Sequence, residues 1–414
     1  MYETAPLLGQ ASPQTPELPN GISITGDTHH ALAPFDQLMT TFLQQHRVPG
    51  AALAVTRQSR LVYARGFGLA DVETARAVQP TSLFRIASVS KPITAVAVMQ
   101  LVEQMKFALD DRVFDILPAN DWLPAKCDER LRRITVRQLL QHTAGWDRDK
   151  SFDPIGRPRE AAQALNKPLP VGPADVVRYT LTLPLDFNPG TRHAYSIVGY
   201  LLLGRLIDLV SGQPYERHVK EKVLAPLGIS RMQLGRSWKG DLAREEVRYY
   251  DSQQREGPAV SGPLLEAMVP LVYGAENFEA FEAHGGWIAS AIDLVRFAAA
   301  FDDPASSKIL KAASIAAMFA RPGGAAGFEA SGQPKTPYYG CGWLVRPVGD
   351  EGRANIWHTG LIAGTTTLLV RRHDGLNWAV LFNTDSNPSG ENLAGLIDPL
   401  VHAATDAVRH WPES

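Results

Sequence analysis

The sequence predicts an α+β fold: an antiparallel sheet flanked by helices, built from both chain ends, with a mainly helical domain inserted between them. Three observations carry this expectation. Short strand-like runs gather near the two termini, while residues from about 110 to 230 show helical spacing broken by proline-rich loops. The composition, 45% hydrophobic and 20% charged over 414 residues, is that of a globular chain with a real core.

Taken in order, residues 1–29 are rich in Pro, Thr, Gly and Ser without periodicity and read as a flexible arm. Ala33 to His46 has helical spacing. Ala51–Val55 and Leu61–Arg65 read as a β-hairpin turning near Gln58-Ser59. Residues 89–105 form an apolar helix in which Pro92 is tolerated because it falls in the first turn. Val136–Gln141, Ala174–Leu181 and Val198–Val210 follow as helices, the last stopped by Gly212 and Pro214. Residues 235–280 read as loop, and Ile292–Phe301 and Ala312–Phe319 as helix. Then come four short strands, Gly342–Arg346, Ala354–His358, Thr365–Arg371 and Asn377–Asn383, and a last helix over about 391–408. The expected domains are therefore a sheet domain from 30–86 and 330–414 and a helical domain from 87–329, with an active site at their interface.

Bulk properties narrow the function. The formal net charge is −2 with Lys and Arg scattered, so neither nucleic acid nor an anionic membrane is an expected partner. The longest apolar stretch, Ile197 to Gly204, falls far short of a bilayer span. The first residues lack a basic leader and an apolar core, and the only cysteines are Cys127 and Cys341. A cytoplasmic protein is expected on these grounds, or a periplasmic one if a leader has been removed.

Phe84-Arg-Ile-Ala-Ser-Val-Ser-Lys91 carries the chemistry. Ser88 and Lys91 stand three apart at the start of an apolar helix, so they share a face and the amine can reach the hydroxyl. A helix N-terminus favours an alkoxide and disfavours a charged lysine. Ser90, adjacent to Lys91, points elsewhere. The plain alternative for Ser88 is a helix cap.

Three further segments add context: Phe187-Asn-Pro-Gly-Thr-Arg-His-Ala-Tyr195-Ser196-Ile197, Trp357-His358-Thr359-Gly360, and Gln141-His142-Thr143-Ala144-Gly145-Trp146. With them the chain resembles the serine β-lactamase and penicillin-binding-protein superfamily over most of 35–385, in the class C β-lactamase-related branch that includes family VIII carboxylesterases and D-aminopeptidases. Leu109-Asp110-Asp111, Pro226-Leu227-Gly228 and Gly285-Gly286-Trp287-Ile288-Ala289-Ser290 support it. The resemblance implies acyl transfer without a cofactor or metal. Ser88 attacks a carbonyl carbon, and Lys91 and Tyr195 move its proton as a coupled set. The N–H of Leu361, after Gly360, would join that of Ser88 in holding the oxyanion. His358, Ile197 and Trp146 would border the substrate.

Two departures bear on substrate. Ile197 stands where lactamases of this superfamily have an asparagine that bonds the substrate amide, and His358 stands where they commonly have lysine. An apolar side chain and a weakly charged one favour an ester over a lactam. The leading expectation is a carboxylesterase on small esters. A D-amino-acid peptidase or amidase, a weak β-lactamase, an acyltransferase and a non-catalytic binding protein are the alternatives. The partner is a small ester or amide, and oligomeric state has no signature in the residues. No Gly-x-Ser-x-Gly elbow, His-Glu-x-x-His, paired Cys-x-x-Cys or phosphate loop occurs.

Overall fold

A computed structural model describes residues 21–27, 29–151, 153–349 and 352–412. The two chain ends meet in the middle of one antiparallel sheet. Its path runs Ile24–Thr25, Arg60–Asp71, Gly50–Arg57, Leu376–Phe382, Thr365–Arg371, Arg353–Ile362, Leu344–Val348 and Tyr338–Tyr339, with Arg76–Ala77 paired to the long second strand. The join is the pairing of Val55 with Trp378 and Leu53 with Val380. Gln58 and Ser59 both have positive φ, +49° and +62°, the turn geometry that matches the twist of a two-residue hairpin.

Side chains alternate across this sheet. Leu53, Val55, Trp378 and Val380 face a core closed by the helices Ala33–His46 and Leu393–Ala407. Ala52, Ala54, Ala379 and Leu381 face the other way, into a core that continues through the helices of the middle segment. The small residues on that face let helix Ala291–Ala299 lie directly on Gly50–Arg57 and Leu376–Phe382. That helix falls within the stretch expected as the inserted helical domain, yet it packs as a layer of the sheet.

The arm expected over 1–29 needs a correction at its far end. Ile24 and Thr25 pair with Phe67 and Gly66 and form the sheet's edge. Residues 1–20 and 28 lie outside the described residues. The stretch 235–280 is loop with a small hairpin, Glu256–Pro258 against Met268–Pro270, and short helical turns at Lys239–Asp241, Leu271–Ala275 and Phe278–Ala280. No described helix is long and apolar enough to cross a membrane.

A second, three-stranded sheet of Phe84–Arg85, Trp287–Ala289 and Gln233–Leu234 leads the chain to the site. Ile86 N–H donates to Trp287 O at 3.0 Å. A single 3-10 turn, Ala87–Val89, follows, and then helix Ser90–Glu103. This helix is apolar on nearly every side and buried from Ser90 through Met99, as a core helix must be.

Candidate active site

Ser88 sits in that turn, part-exposed, just ahead of the helix. Ala87 before it holds φ +46°, a conformation a non-glycine residue rarely adopts. One helical turn on, Lys91 is fully buried with Nζ 2.9 Å from Ser88 Oγ and 2.9 Å from the carbonyl oxygen of His284. Burial holds its pKa well below the usual lysine value; the Asp153 carboxylate opposes this and Arg148 adds to it. A neutral amine fits these contacts: it donates to His284 O and accepts the Ser88 hydroxyl proton.

Tyr195 arrives from the loop before helix Val198–Ser211, its Oη 2.9 Å from Ser88 Oγ. Lys91 Nζ lies 5.0 Å from the centre of its ring. Burial pushes the Tyr195 pKa up, so the resting side chain is a phenol. Three residues from two segments thus meet at one hydroxyl. Ser90 points away, its Oγ accepting from Trp287 N–H at 3.4 Å.

The segment carrying Tyr195 is held at three amides. Ala194 N–H donates to His142 O at 3.0 Å and Ser196 N–H to His142 Nδ1 at 3.4 Å. Ile197 N–H donates to Asp153 Oδ2 at 3.0 Å. His142 has φ +54° and lays its ring 4.3 Å from that of Tyr195. Burial keeps it neutral. Ile197 is buried, and Trp146 is buried with its indole N–H unpartnered.

Gly360 explains why a glycine stands in the strand Arg353–Ile362. A Cβ there would meet Thr367 Oγ1 at 2.2 Å, Ile86 O at 2.4 Å and Ala87 Cβ at 3.1 Å. The strand therefore lies against the turn that bears Ser88, and Thr367 Oγ1 donates to Ile86 O at 3.0 Å across the seam. Leu361 follows with a half-exposed side chain. His358 faces inward instead. Its Nδ1 is 2.7 Å from Thr359 O and its Nε2 2.9 Å from Tyr339 Oη. Burial lowers its pKa to about 3. The imidazole is neutral, donates from Nδ1 and accepts at Nε2, and leaves neither nitrogen for the expected contact with a substrate.

Two residues without a motif complete the surroundings. Arg148 places its guanidinium carbon 4.7 Å from the centre of the Tyr195 ring. Asp153 keeps Oδ1 shut off from solvent without a partner, and burial raises its pKa to about 6. Both line a cavity of about 200 Å³ with Trp146, Ser151, Arg157 and Ser196. Ser88, Lys91 and Tyr195 are not in its wall, so this cavity adjoins the reacting groups rather than containing them. An Asp-Pro turn at 153–154 is legible as a turn, with nothing to mark its chemistry. His284 contributes a backbone carbonyl, which no side chain announces. Among the described residues no group of three or more His, Cys, Asp or Glu is placed to hold a metal.

Known proteins resemble this chain over most of its length. Residues 35–401 match the β-lactamase family model. Penicillin-binding protein 4 of Amycolatopsis lactamdurans is 31% identical over 299 residues, covering 70% of this chain and 69% of that protein. Esterase EstB of Burkholderia gladioli is 29% identical over 407 residues, covering 92% and 96%. Among solved structures, EstCE1, described as a hydrolase with promiscuous acyltransferase activity, superposes with a TM-score of 0.68 at 21% identity over 92% of this chain and 99% of that one. The last likeness speaks for the fold alone. On the family match and these two relatives, the chain belongs to the β-lactamase family of serine hydrolases.

Proposed function

We propose that this protein is a carboxylesterase that hydrolyses small esters through an acyl-enzyme on Ser88. One observation carries the reading: the Ser88 hydroxyl lies 2.9 Å from a buried lysine amine and 2.9 Å from a buried phenol. The neutral amine of Lys91 takes the serine proton as Oγ attacks the carbonyl carbon. The phenol of Tyr195 gives its proton to the departing alkoxide. Water then repeats the sequence in reverse on the acyl-enzyme. Positioned proton transfer of this kind contributes roughly 10²–10⁴-fold. The N–H groups of Ser88 and Leu361 are the proposed oxyanion donors, each worth about 3–4 kcal/mol in such sites.

Ester rather than lactam or peptide is supported by Ile197, whose side chain offers no hydrogen bond, and by neutral His358, which offers no charge to a carboxylate. The likeness to EstB over nearly the whole chain supports it too. The test is covalent labelling with a fluorophosphonate, mapped to Ser88 by mass spectrometry, beside rates on ethyl butyrate, a D-alanyl amide and nitrocefin. Labelling at Ser88, its loss in Ser88→Ala, and fastest turnover of the ester are expected. Nitrocefin or the amide as best substrate refutes the esterase assignment, and an unchanged rate in Ser88→Ala refutes the nucleophile.

A further inference from the structure

The acylation step gives Tyr195 a charge it is badly placed to carry. Ser88 Oγ bonds to the carbonyl carbon as its proton passes to Lys91 Nζ. When the bond to the leaving oxygen breaks, that oxygen takes the Tyr195 proton and a phenolate remains, until the proton on Lys91 neutralises it. Burial disfavours that phenolate, because a charge in a low-dielectric site loses its hydration. The nearby groups help unevenly. His142 and His358 are both held neutral by burial, and Tyr200 and Tyr339 carry no charge. Asp153, when ionised, works against a second negative charge.

Arg148 is different. It is permanently cationic, and its guanidinium carbon stands 4.7 Å from the centre of the Tyr195 ring. Its side chain is half exposed and, among the described residues, has a loose ion pair, 3.6 Å from Asp149 Oδ1. The neighbouring Arg192 is spent elsewhere, bonded to Asp147 Oδ2 at 2.7 Å and stacked on Phe187. On the strand Arg353–Ile362, His358 is neutral and has both ring nitrogens occupied. Besides Lys91, whose Nζ lies 5.0 Å from the ring centre and holds the serine proton during the step, the positive charge facing the phenol comes from the short helix Arg148–Ser151.

We propose that Arg148 acts through Tyr195: its guanidinium stabilises the phenolate formed when Tyr195 protonates the leaving alkoxide. The inference rests on the acyl-enzyme reading above. It makes a demand that a merely structural arginine does not. Leaving groups that need a proton should depend on Arg148, and leaving groups that depart as stable anions should not.

Ethyl butyrate and p-nitrophenyl butyrate share an acyl group and differ in this respect, since ethoxide must be protonated and p-nitrophenolate need not be. Arg148→Gln is expected to lower kcat/KM on ethyl butyrate about ten-fold, the scale of one partly desolvated cation over a ring, and to leave p-nitrophenyl butyrate within about two-fold. Arg148→Lys should recover most of the loss. In a Tyr195→Phe background Arg148→Gln should cost nothing further, because its target is gone. Equal losses on both esters, no loss on either, or a further loss in the Tyr195→Phe background overturns the proposal. Fluorophosphonate labelling separates the levels. A wild-type protein unlabelled at Ser88 overturns the acyl-enzyme reading and this proposal with it, while labelled protein with equal losses on the two esters overturns this proposal alone.

Discussion

The turn and helix over Ala87–Glu103 and the loop over Trp146–Arg157 border the same three side chains and are built by opposite rules. The first is buried, and its Ser88 and Lys91 have their polar atoms matched: Ser88 Oγ to Lys91 and Tyr195, Lys91 Nζ to Ser88 and His284. The second lines a cavity and leaves the Trp146 indole N–H and Asp153 Oδ1 buried without partners. Unsatisfied polar groups cost stability, and these two belong to residues that line a cavity beside the reacting side chains. The difference teaches where to look for what. The groups that move the proton are fixed in the closed region, and the charges that modulate them, Arg148 and Asp153, come from the open one.

The largest way to break that division is to strike the closed region. Lys91→Ala and Tyr195→Phe should each lower kcat on ethyl butyrate by roughly 10²–10⁴-fold, measured under saturating substrate. A loss confined to KM would move both residues out of the chemistry. Gly360→Ala tests the seam between strand and turn. Its methyl group meets backbone and side-chain oxygens, and overpacking of this kind costs about 1–3 kcal/mol in urea unfolding, with a fall in kcat as Ser88 is displaced.

Lys91→Met should move stability the other way. The folded pKa of Lys91 lies well below its unfolded value of 10.5, so between the two values the unfolded chain binds more protons than the native one. Stability then rises with pH until the unfolded lysine also loses its proton. Methionine removes that burden, so its gain in Tm should be clear at pH 7 and fade as pH approaches 10. A gain constant with pH means the amine is charged in the native state. The smallest effect is expected in the open region. Asp153→Ala frees the Ile197 amide and should cost about five-fold in kcat, while Asp153→Asn, which keeps an acceptor, should cost less, read on ethyl butyrate.

The closed region was also the legible one. Spacing on an apolar helix offers Ser88 and Lys91 as candidates, and Tyr195 joins them only through the resemblance that its Pro-Gly turn and the segments around His142 and His358 carry together. The four C-terminal strands alternate or run apolar enough to be read directly. What escaped reading shares a cause. His284 acts through a backbone carbonyl, which every residue has. Arg148 and Asp153 sit in a loop with no periodicity, and only the folded chain shows that they flank a phenol more than forty positions away. The edge strand at Ile24–Thr25 is two residues long and is recognisable only by its partner, Arg60–Asp71. His358 misled for the reverse reason. Its place in a motif suggested a ligand contact, while Tyr339 and Thr359 had already claimed both nitrogens.

Gly360 carries one more consequence. With no side chain between them, the strand and the Ser88 turn touch across the boundary of two layers, and neither layer alone defines where the hydroxyl points. Warming that loosens the joint should silence the enzyme in the same event that melts it, so heat inactivation and loss of tertiary signal should follow one curve.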